Sequence, residues 1–265
     1  MQFCSLASGS NGNSYYVSDG KTSVLIDLGI TTKQAEQALR QIQADPSSIR
    51  AILITHEHSD HVRGIGVWAR RYRIPILGSE QTLRAAMRMA STGSIPPELL
   101  YPIRAGKRYN LESLTIEPFS PFHDAADPLG YSIVCGDQRI TVMTDTGMVS
   151  EEMEQLLVRS QLAVIESNYD PQMLSQGPYP PLLKKRIRSN VGHLSNIDCG
   201  QLVARVLAQN PSLTVLLGHL SQENYRPELA LATVQQFACQ VLPVEEQHIE
   251  LTIRGARTRV YTLES

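Results

Sequence analysis

Residues 51–61 read Ala51-Ile52-Leu53-Ile54-Thr55-His56-Glu57-His58-Ser59-Asp60-His61. An apolar, β-branched run predicts a strand buried on both faces, and it stops abruptly in a cluster of nitrogen and carboxylate donors. In an extended segment residues i and i+2 point the same way, so His56 and His58 can grip one ion. Asp60 and His61 follow at the turn into a helix and can reach a second ion beside it. Neutral imidazole with carboxylate suits zinc, and also manganese or iron. Three of the chain's seven histidines fall in these six positions, a density that a solvated polar loop does not explain. The helix-borne His-Glu-x-x-His protease pattern is absent, because position 60 is Asp.

Other apolar runs end the same way. Residues 24–26 run into Asp27, 140–144 into Asp145, 162–165 into Glu166, and 213–218 into His219. Open α/β sheets place their ligands at such strand ends. Helical spacing marks residues 32–42, 61–72, 80–90, 151–158, 197–208 (with Asn196 as a possible N-cap) and 227–240. Short strands over 3–6 and 14–17 and a meander over 114–119, 131–134 and 139–144 complete a mixed α/β reading. No linker or composition shift divides the chain, so residues 1–265 are expected to form a single domain.

Lys and Arg number 24 against 26 Asp and Glu, giving a net charge of −2. That excludes a globally basic nucleic-acid coat and leaves only local patches. No apolar run approaches the roughly 20 residues of a membrane span, and the N-terminus lacks a signal peptide's basic and apolar regions. Cys4, Cys135, Cys199 and Cys239 are scattered, with no Cys-x-x-Cys pair. A cytoplasmic protein with reduced thiols is expected.

Two adjacent divalent ions need further ligands and a bridging carboxylate. Asp145 and His219 supply strand-end donors, and His123 completes the set, with Asp124 beside it as a rival. Ser8, Asn11 and Asn13 lie in a Gly-, Ser- and Asn-rich loop (8–14) whose donors can hold a phosphate, or that simply turns a hairpin. Lys184, Lys185, Arg186 and Arg188 form a basic run able to steer a polyanion. Arg70, Arg71 and Arg73 form a weaker one, and His248 carries no role.

The His-x-His-x-Asp-His run, with later His123, Asp145 and His219 and the early Asp27, resembles the metallo-β-lactamase superfamily. The resemblance implies a four-layer αβ/βα sandwich of two mixed sheets flanked by helices. It assigns His56, His58 and His123 to one metal, and Asp60, His61 and His219 to the other, with Asp145 bridging and Asp27 orienting the motif loop. Glu166 and His193 resemble the Glu–His pair that phosphodiesterase branches use beside the metals, where His193 assists the leaving oxygen and Asp60 helps orient the nucleophile.

More narrowly, seven stretches resemble the YycJ (WalJ) branch: 3–10, 55–61, 123–128, 144–147, 166–170 (including Asn168, a further candidate substrate contact), 192–196 and 218–221. That implies a 5′→3′ exonuclease with two Zn²⁺ or Mn²⁺ ions, acting on DNA rather than RNA. The stretch between Asp145 and His219 is too short for the cap domain of RNA-processing relatives. Tyr225 stands where the branch pattern expects a second Asn after Asn224. Two other readings are a small-molecule hydrolase acting on a thioester, lactone or cyclic phosphodiester, and a non-catalytic metal-stabilised binding module.

Overall fold

A computed structural model describes residues 1–263 apart from 222, 224 and 225, so the Asn224–Tyr225 departure lies outside the described residues. The chain divides into two compact units. The first comprises Met1–Ser120, Ala125–Gln138 and Ile253–Ser265, and the second Pro121–Asp124 and Arg139–Thr252.

In the first unit, β1 (Gln2–Ala7), β2 (Ser14–Ser18) and β3 (Ser23–Ile26) pair antiparallel in sequence. Then β4 (Ile49–Leu53), β5 (Ile76–Gly78) and β6 (Leu100–Pro102) add on in parallel. Helix α1 (Thr32–Gln41) makes the crossover between β3 and β4. It opens with a capping box, in which the Thr31 hydroxyl accepts from Gln34 N–H and the Gln34 amide oxygen accepts from Thr31 N–H. The meander is present as β7 (Tyr109–Leu111), β8 (Leu114–Phe119) and β9 (Gly130–Cys135). Trp68, Ile52, Leu25 and Leu39 lie in the core of this unit, each fully buried.

The helix expected over 61–72 is two helices, α2 (Ser59–Val62) and α3 (Ile65–Tyr72), followed by α4 (Glu80–Met87). Gly64 explains the break. Its N–H bonds to Leu28 O at 2.8 Å, and a Cβ there would lie 2.4 Å from Ile30 O. The join is held by a distant backbone, which helical periodicity does not report.

The second unit carries β10 (Gln138–Met143), β11 (Leu162–Glu166), β12 (Thr214–Gly218) and β13 (Ile249–Leu251), each parallel to the next. Every residue of β11 is buried, as its continuous apolar reading requires. The helices are α5 (Glu151–Val158), α6 (Pro171–Gln176), α7 (Pro181–Ile187), α8 (Asn196–Leu207) and α9 (Pro227–Ala238). Ser195, not Asn196, caps α8, its hydroxyl accepting from Asp198 N–H. Short helices α6 and α7 were not expected, although each begins with proline at its first position, a residue preorganised for a helix start. The final strand, β14 (Tyr261–Thr262), belongs to the first unit and pairs antiparallel with β1. Among the described residues the strands fall into two mixed seven-stranded sheets flanked by helices.

Candidate metal centre

In the first unit the donors are organised around Asp27, just past the end of β3. Its backbone adopts φ 59°, an uncommon left-handed conformation for a residue other than glycine, of the kind that persists where surrounding structure over-determines it. The carboxylate is fully buried. Oδ1 accepts from Thr55 N–H at 2.8 Å, and Oδ2 from the Thr55 hydroxyl at 2.9 Å and His61 Nδ1 at 2.7 Å. Burial pushes this carboxyl above its ordinary range, and His61 and Thr55 partly offset the rise. The Thr55 hydroxyl oxygen is also 3.0 Å from His56 Nδ1. With the hydroxyl donating to Asp27, that oxygen accepts from His56 Nδ1–H, so His56 and His61 both keep their lone pair on Nε2.

The two histidines are buried, with ring centroids 4.1 Å apart, and the His58 ring is 4.5 Å from that of His56. His56 Nε2 lies 2.9 Å from His58 Nδ1. His61 Nε2 is 3.5 Å from Asp60 Oδ2 and 3.1 Å from Asn13 Nδ2. Asn13 thus meets the motif loop from a distant turn, and its N–H also donates to Asp60 O at 2.8 Å.

Backbone contact locks the arrangement. Gly29 N–H donates to Asn13 O at 2.8 Å and Leu28 N–H to His61 O at 2.9 Å. A Cβ on Gly29 would stand 1.6 Å from Asp60 O, so no side chain fits without moving the ligand loop. Gly29→Ala is expected to cost about 2–4 kcal/mol of stability, the range of severe overpacking. It should also reduce metal content. Thermal unfolding with elemental analysis of the purified variant checks both.

The second unit has its own cluster at three strand ends. Asp145 follows β10 with φ 56° and His219 follows β12 with φ 53°, while Glu166 ends β11. Asp145 Oδ1 lies 3.3 Å from His219 Nε2 and 3.8 Å from His123 Nε2. Glu166 is completely buried, yet its carboxylate meets four donors. Oε1 faces His193 Nδ1 and His219 Nδ1, each at 2.8 Å. Oε2 accepts from Thr146 N–H at 2.9 Å and Leu194 N–H at 3.3 Å. Burial alone would raise this carboxyl, but the charges and hydrogen bonds of His193 and His219 hold it well below the usual carboxylate range. Glu166 therefore stays ionised and fixes both imidazoles with hydrogen on Nδ1.

His123 is oriented likewise, its Nδ1 3.1 Å from Gly192 O. Its neighbour Asp124 pairs with Arg186, whose Nη2 donates to Oδ1 at 2.9 Å. Charge-assisted pairing ties the rival carboxylate to a cation, and a ligand role falls more naturally to His123.

Several expected substrate contacts are occupied in holding loops. Ser8 Oγ is 3.0 Å from Tyr15 OH, and Asn13 Oδ1 accepts from Gly9 N–H at 2.8 Å. Asn168 Nδ2 donates to His219 O at 2.8 Å. All three are buried, whereas Asn11 is exposed at the turn. On α7, Lys184 Nζ donates to Ser175 O at 2.8 Å and Lys185 is exposed. The weaker patch is tied internally, Arg71 to Glu36 and Arg73 to Glu98, each at 2.9 Å, and Arg70 to Ser94 O. Sequence reasoning missed Thr55 and Thr146. Thr55 had a signal, being a hydroxyl directly between an apolar strand and His56.

The donor set fits divalent metal. His61 and His219 hand Nδ1–H to a carboxylate, His123 to a carbonyl and His56 to a hydroxyl, leaving the Nε2 lone pair as the ligand, an orientation typical of metal-binding histidines. Bonds of about 2.0–2.1 Å to one tetrahedral ion place ligand atoms roughly 3.3 Å apart, close to the Asp145–His219 separation. Asp145, Glu166, His193 and His219 bring ligand atoms within 4.8 Å of one another.

A sequence profile of the metallo-beta-lactamase superfamily matches residues 7–152. The chain is 36% identical over 236 residues to exodeoxyribonuclease YycJ of Bacillus anthracis, covering 89% of this chain and 88% of that one. It is 38% identical over 234 residues to exodeoxyribonuclease WalJ of Streptococcus pneumoniae serotype 2, covering 88% and 87%. In fold it is similar to the metallo-beta-lactamase fold protein YhfI from Bacillus subtilis, with TM-score 0.70 and 14% identity over 99% of this chain and 100% of that one.

Proposed function

The chain belongs to the metallo-beta-lactamase superfamily, a family of metal-dependent hydrolases, and from that membership we propose that it is a binuclear phosphodiesterase removing nucleotides from DNA in the 5′→3′ direction. The likeness to two exodeoxyribonucleases over nearly nine-tenths of their length carries the reading. Residues 1–265 then work as one domain. Following the family pattern, His56, His58 and His123 hold one ion, and Asp60, His61 and His219 the other, with Asp145 shared. Within the second unit, the position of Asp145 Oδ1 near both His123 Nε2 and His219 Nε2 supports that sharing.

Zn²⁺ or Mn²⁺, when bound, supplies Lewis-acid charge at the scissile phosphate and a water of lowered pKa. The protein's own part is positioning and proton transfer. Asp27 and Thr55 fix His56 and His61, and Glu166 fixes His219. Asp60 and Asp145 orient the nucleophile. His193, anchored through Nδ1 to Glu166 Oε1 and partly exposed, directs Nε2 to the leaving oxygen. In its doubly protonated form, which the Glu166 carboxylate stabilises, it gives the Nε2 proton to that oxygen as the P–O bond breaks and is left with hydrogen on Nδ1 alone. A cytoplasmic setting is supported by four cysteines that form no disulfide. Among the described residues no helix is long and apolar enough to cross a membrane.

Chelation followed by restoration with Mn²⁺ or Zn²⁺ tests the reading. Two ions per chain by elemental analysis, and cleavage of DNA that returns with them, are expected. Hydrolysis of small esters with no cleavage of any polymer would move the function to a small-molecule hydrolase. One ion per chain with no hydrolysis under either metal would leave a binding module.

The basic run on α7 is assigned to flanking phosphates. In a variant combining Lys184→Ala and Lys185→Ala, kcat should hold while polynucleotide affinity falls. The slope of log affinity against log salt should flatten by about one to two. An unchanged slope removes the run from the substrate path.

A further inference from the structure

Unit 1 has a groove of about 660 Å³ between α1 and the segment at 255–259, lined in part by Gln34, Gln37, Gln41, Arg257 and Arg259. We propose that this groove binds the nucleotides of a single-stranded substrate that lie beyond the scissile bond; the proposal rests on the nuclease reading above. The size suits a ligand, since binding pockets span about 300–1,000 Å³.

Its chemistry suits a polynucleotide. Gln34, Gln37 and Gln41 stand at i, i+3 and i+7, on one stripe of α1. The Gln34 and Gln41 oxygens already accept from Thr31 and Arg257, which leaves their NH₂ groups to donate to a base edge, and the Gln37 amide can donate or accept. Opposite them Arg257 and Arg259 bring two cations to the groove wall, and Arg254 precedes them in the same segment. Among the described residues no carboxylate lines the groove, in a chain whose net charge is −2. Glu36, the one acid of α1, is turned elsewhere, to Arg40 at 3.2 Å, Arg71 at 2.9 Å and the Tyr72 hydroxyl at 2.8 Å. Arg257 Nε donates to Gln41 Oε1 at 3.0 Å, which ties the two walls together and holds the guanidinium over the groove.

The groove is also wired to the ligand loop of the same unit. Arg254 forms a β-bridge with Ser8 and donates to Ser10 Oγ at 3.0 Å. Gly9 in that loop donates to Asn13, and Asn13 contacts Asp60 O and His61 Nε2. A strand whose reacting phosphate lies near Asp60 and His61 can therefore continue along the 8–13 loop toward Arg257.

The test uses Arg257→Ala, Gln37→Glu, which sets a carboxylate in the groove, and Arg257→Lys, which keeps the charge. Binding of a fluorescent single strand of about 20 nucleotides is read by anisotropy in chelator, and cleavage of that strand and of a dinucleotide is read with metal restored. Arg257→Ala and Gln37→Glu should each weaken the long strand about five- to twentyfold. Arg257→Ala should flatten the salt slope by about one. Dinucleotide cleavage and melting temperature should hold, and Arg257→Lys should retain most of the affinity. Long-strand affinity unchanged in both variants overturns the proposal, as does failure of the wild type to bind the strand. Wild-type binding that depends on Arg257, without cleavage of either substrate, supports the groove and overturns only the nuclease activity.

Discussion

An Asp145→Asn variant is expected to lose at least about three orders of magnitude of turnover while remaining folded. Asparagine is the informative replacement because the backbone at this position has φ 56°. Asp and Asn are the residues other than glycine that best tolerate that region, so the strand end should keep its conformation. What disappears is the negative charge near His219 Nε2 and His123 Nε2. Two imidazoles and a neutral amide hold a divalent ion far less well than two imidazoles and a carboxylate. Metal content should therefore fall together with kcat, while melting temperature measured in chelator stays near that of the wild type. Retained turnover with full metal loading would remove Asp145 from the centre.

The second large effect belongs to Glu166→Gln. Four donors converge on the two carboxylate oxygens. An amide can satisfy the pair at one oxygen position only, and its NH₂ then faces the donors at the other. Leaving buried donors opposed in this way should cost about 2–4 kcal/mol, lowering Tm by roughly 5–15 °C. Loss of the charge that fixes the His193 and His219 tautomers should also weaken metal binding about 10–100-fold. Calorimetry and metal competition measure the two separately. A variant as stable and as metal-avid as the wild type would mean that Glu166 only fills space.

Much of the candidate centre was legible because its donors sit at the ends of apolar runs, and strand ends are a local, one-dimensional signal. His56, His58, Asp60 and His61 came from spacing alone, and Asp145 and His219 from the same strand-end reading. The sequence was silent where the physics is long-range. Nothing local marks Gly64 as the point where a helix must stop, since the cause is the Leu28–Ile30 backbone pressing on it. Nor could Asn13 and Asn168 be told from substrate contacts, because their partners, Asp60 and His219, lie 47 and 51 residues away. The left-handed backbones at Asp27, Asp145 and His219 share that origin. Each carries a side chain that meets a partner far along the chain, Asp27 with Thr55 and His61, Asp145 with His219, and His219 with Glu166, and composition carries no trace of it.

The most direct measurement follows DNA labelled at either end through a time course, with Mn²⁺ restored to metal-stripped protein and Asp145→Asn as control. The account predicts that a 5′ label is released at once as mononucleotide, while a 3′-labelled strand shortens one nucleotide at a time, both absent in the variant. Internal fragments from both labels, or no cleavage at all with two ions bound, would contradict it.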